Sequence, residues 1–175
     1  ADEAIRTEVA KHLTLPATAG SKPLPPVAEL AKRAGDPVRG QELFRTTATC
    51  IKCHKVRGEG KEVGPDLSEI GSKLPKEAMF ISILDPSAGI SHNYETYTAV
   101  LDSGNVVSGL KVNETDDSVT IRSAESIDKV ISKSEIEELV KSTVSLMPAD
   151  LQKTMSEQDL VDVVEFISTL KKPGA

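Results

Sequence analysis

Two cysteines and a histidine share one five-residue run, Cys50-Ile51-Lys52-Cys53-His54, and no other cysteine occurs among the 175 residues. Thiols separated by two residues on a helical turn reach the same edge of a single flat group. C-x-x-C-H is the pattern by which the two vinyl groups of a haem are captured as thioethers, and the histidine directly after the second thiol then offers the iron an axial nitrogen. The chemistry predicted from these residues is covalent retention of one c-type haem.

Two other chemistries use similar spacing. A structural zinc site takes four Cys or His ligands, usually in two pairs, and beyond the motif the chain has only His12 and His92, at no ligand spacing. A dithiol redox pair sits after a strand in a βαβ unit, whereas the residues before Cys50 read as a helix running into a Thr-rich turn.

An electron-transfer haem with low-spin iron needs a second axial ligand opposite His54. The candidates are Met79, Met147, Met155, His12 and His92. Met147 lies in Ser145-Leu146-Met147-Pro148, an extended loop whose proline fixes the chain just after the sulfur. Met79 falls on an apolar helix face and reads as core filling; Met155 precedes a helix cap and reads as a staple. His92, in Ser91-His92-Asn93-Tyr94, is the rival ligand. A thioether favours ferrous iron, so His/Met ligation raises the reduction potential relative to His/His, and two filled axial positions keep substrates off the metal.

These residues have to be positioned by the rest of the chain. Asp36-Pro37 starts a helix expected over about 37–46, with Asp36 as cap and Pro37 at the first position. Gly40 and Phe44 lie one turn apart on it, and the glycine permits a close helix crossing. A helix follows Pro75 and ends at Asp85-Pro86; another starts at Ser156 and carries Leu160, Val163, Val164, Ile167 and Leu170 as its apolar stripe, with Phe166 beside it. From Tyr94 the apolar period changes to two, and short runs with polar turns predict a small antiparallel meander over 95–142. That stretch holds ten acids against five bases. Residues 1–34 read as a helical appendage, with an amphipathic helix near 2–13, a Pro-rich linker and a short helix over 27–33.

The net charge of −6 and a pI near 5.2 argue against nucleic-acid or anionic-membrane partners. The longest apolar run, residues 78–84, is too short to span a bilayer. From 52 to 76 six bases face four acids, a mildly basic rim that would suit an acidic redox partner. The acidic turn at 114–117 reads as solvated rather than as a calcium loop. Haem attachment to C-x-x-C-H takes place outside the cytoplasm, so an exported or periplasmic protein is expected.

Asp36-Pro37 with Gly40 and Leu43-Phe44, then C-I-K-C-H, Val63-Gly64-Pro65-Asp66-Leu67 and the Met147-Pro148 loop before the closing helix resemble class I cytochromes c. With Ser82-Ile83-Leu84-Asp85-Pro86-Ser87 and the β segment, the chain looks more narrowly like the planctomycete-type haem-binding domain, over residues 35–172. The resemblance implies thioethers at Cys50 and Cys53, iron ligation by His54 and Met147, and a Pro65 carbonyl that accepts the Nδ1 proton of His54. It also implies contact between the first and last helices through Gly40, Phe44 and Phe166. The fold class expected is mainly α: a cytochrome c fold of three core helices at 35–94 and 143–172, with the β meander of 95–142 inserted. The function expected is non-enzymatic one-electron transfer with a larger redox protein, the chain standing alone, as part of a larger protein or as a homo-oligomer. The rivals are a haem enzyme or gas sensor with a labile sixth ligand, and a chiefly structural module.

Overall fold

The computed structural model describes residues 17–19 and 22–174; the helix expected near 2–13, and His12 with it, lies outside them. Among the described residues are four α-helices, α1 (Val27–Leu30), α2 (Pro37–Arg45), α3 (Lys76–Leu84) and α4 (Glu157–Ser168). The Asp36 carboxylate caps α2, accepting from the amides of Val38 at 2.8 Å and Arg39 at 3.2 Å. Ser156 and Asp159 form a reciprocal capping box on α4. The caps fix where each helix begins, and hence which face turns inward.

Helices α2 and α4 cross at Gly40. A Cβ there would stand 2.9 Å from Phe166 Cβ and overlap the backbone of Asp162, so only glycine lets the two axes approach this far. Phe44 and Phe166 meet edge to face beside the crossing, with centroids 5.5 Å apart. Asp162 is buried there, accepting from the Asp36 amide at 2.9 Å, Arg39 Nη1 at 2.6 Å and Gln158 Nε2 at 2.8 Å. The segment read as a linker joins the same core: Leu24 is buried against it, as is Leu30 of α1, and the Ala19 amide donates to the Met155 carbonyl at 2.9 Å. Each such leucine contributes about 1.5–3 kcal/mol by leaving water.

Strands β1 (Lys55–Val56) and β2 (Glu59–Gly60) make a short hairpin. Five further strands follow: β3 (Thr96–Leu101), β4 (Val106–Glu114), β5 (Ser118–Arg122), β6 (Asp128–Ser132) and β7 (Ile136–Lys141). They form one antiparallel sheet in the order β6-β5-β4-β3-β7. The first four run as a meander, but β7 returns through a 3-10 turn at Lys133–Glu135 to pair with β3 on the far edge. Ala99, Val119, Ile121 and Ile131 are at most 2% exposed, and the partly buried apolar residues packed on them (Val107, Ile136 and Leu139) all belong to the sheet.

The mainly α class expected from the sequence is therefore corrected. Among the described residues 30% are helical and 24% lie in strands, and the four helices stand beside a five-stranded sheet, which makes the class mixed α and β. Physically, the chain between helices is spent on loops and single 3-10 turns that wall a cleft, while 96–141 holds a core of its own.

On the sheet, Glu114 accepts from Lys111 Nζ at 2.7 Å and Lys133 Nζ at 2.9 Å, and these two bonds hold its carboxyl down to about 2 from its ordinary 4.5. A carboxyl depressed by folding contributes stability above its unfolded value and loses it as the pH falls toward the folded one. Between about pH 5 and about pH 3, wild type is expected to lose more stability to urea than Glu114→Gln, as followed by circular dichroism. Equal losses would show that the lysine pair does not stabilise the fold.

Candidate haem site

The attachment turn is built from local bonds. Thr49 takes a left-handed conformation, φ 53°, and Cys50–Lys52 form one 3-10 turn. The amides of Cys53 and His54 both donate to the Cys50 carbonyl, at 3.1 and 2.9 Å. The β1–β2 hairpin then doubles back through Arg57-Gly58, both with positive φ, which is a two-residue turn matched to strand twist. After it the amides of Val63 and Gly64 donate to the Cys53 carbonyl, at 3.0 and 2.8 Å. This brings Pro65 under the histidine.

His54 Nδ1 donates to the Pro65 carbonyl at 2.8 Å. A carbonyl can only accept, so the proton sits on Nδ1 and the Nε2 lone pair is left bare for a metal. Burial pushes the imidazole pKa down, against the opposing pull of the Pro65 carbonyl. Gly64 lies flat on the ring, since a Cβ there would stand 2.8 Å from Nδ1 and closer still to Cε1. The glycine noticed in the sequence thus has a steric reason.

Burial pushes the Cys50 thiol up to about 12, and Cys53 shifts upward for the same reason. Both are thiols at neutral pH, unlike the depressed thiolate that attacks in dithiol oxidoreductases. They are not joined to each other. Reactive-dithiol chemistry does not suit this environment.

His54 and Cys53 border an apolar cleft, walled by α3 through Met79 and Ile83, by the chain at Leu67 and Ile70, and by Met147. A second space is bordered by Cys50, Cys53, His54 and Met147. A haem fits these residues: two thiols at one side, a bare imidazole nitrogen, a thioether and apolar walls.

Met147 is half-buried and packs on the helical core. Its amide donates to Ser145 Oγ at 3.1 Å, and the Ser145 amide donates to Ser87 Oγ at 3.1 Å, which ties the loop to the end of α3. His92 has an 88% exposed side chain, 3.8 Å from Glu95, and borders neither space. Met79 is buried on α3 and also borders the cleft; Met155 is buried in the core and does not.

Sequence reasoning missed what the sheet adds. Tyr94 and Leu110 border the cleft, and Ala124 and Glu125 border the space beside the cysteines. No local pattern marks them; only the sheet register brings them there. Four of the six bases of the supposed rim are engaged: Lys55 with Glu62, Lys73 with Glu69, Lys76 with Glu165, and Lys61 with a main-chain carbonyl. Among the described residues no cluster of three His, Cys, Asp or Glu could hold a metal ion by itself, and no helix is long and apolar enough to cross a membrane.

The family described as Cytochrome c matches residues 37–120 of the chain. The match takes in Cys50, Cys53, His54 and Pro65, runs on into β5, and ends before Met147. No curated protein matches the sequence.

Proposed function

We propose that this chain, whose residues 37–120 are a cytochrome c domain and which is thereby a haem-binding electron-transfer protein, holds one haem by thioethers at Cys50 and Cys53, with His54 and Met147 as the axial ligands. On this reading it belongs to the planctomycete-type branch, works outside the cytoplasm, and exchanges single electrons with a larger redox protein. The observation that carries the ligand assignment is that His54 and Met147 border the same apolar cleft, with the thiols beside it.

The bound haem supplies the one-electron iron couple. The chain's own residues do the rest. Pro65 holds the Nδ1 proton and fixes the ring orientation, making Nε2 the better donor. Gly64 lets the backbone lie against that ring. The Ser145–Ser87 tether keeps the Met147 loop at the cleft, and the apolar walls exclude water, which together favour the ferrous state.

The test of attachment is extraction of the haem-loaded protein with acidified acetone. Pigment is expected to stay on the polypeptide in wild type, and to pass wholly into the organic phase in a Cys50→Ala/Cys53→Ala variant. Free extraction from wild type would overturn thioether attachment.

A further inference from the structure

The turn between β5 and β6, residues 123–127, leaves the sheet and reaches the attachment turn, where Ala124 and Glu125 border the same space as Cys50 and Cys53. Two cations hold it there. Lys61 Nζ donates to the Glu125 carbonyl at 3.0 Å, across 64 residues of sequence. Arg122 Nη1 donates to the Glu62 carbonyl at 3.0 Å, while its Nε and Nη2 donate to the two Asp128 oxygens at 2.6 and 2.8 Å. The guanidinium fork is thus fixed to the neighbouring strand on one side and to the attachment loop on the other.

The turn itself is braced. The Ser123 amide donates to the Ile127 carbonyl at 2.9 Å, the Ser126 amide to the Ser123 carbonyl at 3.0 Å, and Ser123 Oγ to Glu125 Oε2 at 2.7 Å. Ser126 is held at φ 68°, a conformation serine seldom adopts. A five-residue connection is not needed to join β5 to β6, because Arg122 and Asp128 are direct register partners and a two-residue turn would close that hairpin. The extra length goes to the cysteines.

From this geometry we propose that the 123–127 turn is a cover on the thioether edge of the haem, that Lys61 and Arg122 are positioning residues which clamp it, and that it raises the reduction potential by keeping water from that edge. The inference rests on the attachment reading above. Ferric haem carries one more positive charge than ferrous, so excluding water from the edge disfavours the oxidised form. Opening the cover therefore lowers the potential.

The experiment uses the haem-loaded protein in three forms beside wild type: Lys61→Met/Arg122→Met, a chain with 123–127 replaced by Asn-Gly, and Lys52→Met as a control that removes a nearby charge without touching the clamp. Acid–acetone extraction is run on each first, so that a failure of attachment is seen separately from a failure of the cover. With pigment retained, the shortened turn is expected to shift the potential downward with no change in charge beyond Glu125, and the double variant to shift it further down than twice the Lys52→Met shift. Hydrogen exchange at the 123–127 amides is expected to lose its protection in the double variant. Potentials in the shortened chain equal to wild type, or a double-variant shift no larger than the charge control predicts with protection retained, would overturn the proposal. Should the double variant fail to fold, the shortened chain decides alone, since it leaves the strands and the Arg122–Asp128 pair in place.

Discussion

A Met147→Ala variant is expected to lose the weak sulfur-to-iron absorption band of the oxidised protein, to bind carbon monoxide when reduced, and to show a lower reduction potential. Met147 borders both the apolar cleft and the space beside the cysteines, and so does His54. On the proposed ligation, alanine takes the soft thioether donor from the iron, so the ferrous state loses its advantage. Cys50, Cys53 and the His54–Pro65 bond are untouched by the substitution, so attachment is expected to survive. In parallel, His92→Ala is expected to change none of the three readouts, because that imidazole is exposed and faces Glu95. A spectrum altered by His92→Ala and unaltered by Met147→Ala would reverse the assignment.

Gly40→Val is expected to destabilise the fold more than any single surface change. The new side chain would meet the backbone of Asp162, which cannot swing aside as a side-chain end can, and Phe166 Cβ at 2.9 Å even before its methyls are counted. The helices must part, which loosens the Phe44–Phe166 contact and pulls Arg39 from the buried Asp162 carboxylate. Overpacking costs about 1–3 kcal/mol, and the buried Asp162 carboxylate losing a partner adds to that. The expected loss is a sizeable part of the roughly 5–15 kcal/mol typical of a domain. Urea unfolding of the haem-loaded protein measures it, with Val38→Ala as the comparison, since Val38 is 77% exposed on the same helix. Losses within about 0.5 kcal/mol of each other would show that the crossing is not tight.

The helices and the attachment turn were legible because their signals are local. Asp36-Pro37 and Ser156 with Asp159 act within one turn of themselves, and the five residues from Cys50 act within one 3-10 turn. Strands β3 to β6 were legible too, from alternation, whereas β7 was not read as a strand of its own. Their order was not: β7 pairs with β3 rather than β6, and nothing in the residues 136–141 says which edge they will join. The mainly α expectation failed for a related reason. It treated 95–142 as an insertion in a helical fold, whereas those residues form a five-stranded sheet with a core of its own beside the helices. Leu24 was hidden in a Pro-rich stretch whose composition says linker, and only tertiary contact with the helical core buries it.

The crossing of α2 and α4 has a consequence for the order of events during folding. The Arg39–Asp162 bond joins residues 123 positions apart, and the Asp36–Asp162 bond 126. Contacts that distant close late, because the loop entropy precedes the reward. The bonds within the Cys50–His54 turn, by contrast, run only to the carbonyls of Thr49 and Cys50. Wherever the haem is loaded, on the proposed reading the turn can form while the helical core is still open, which is when a rigid porphyrin can be brought to the thiols without unfolding anything.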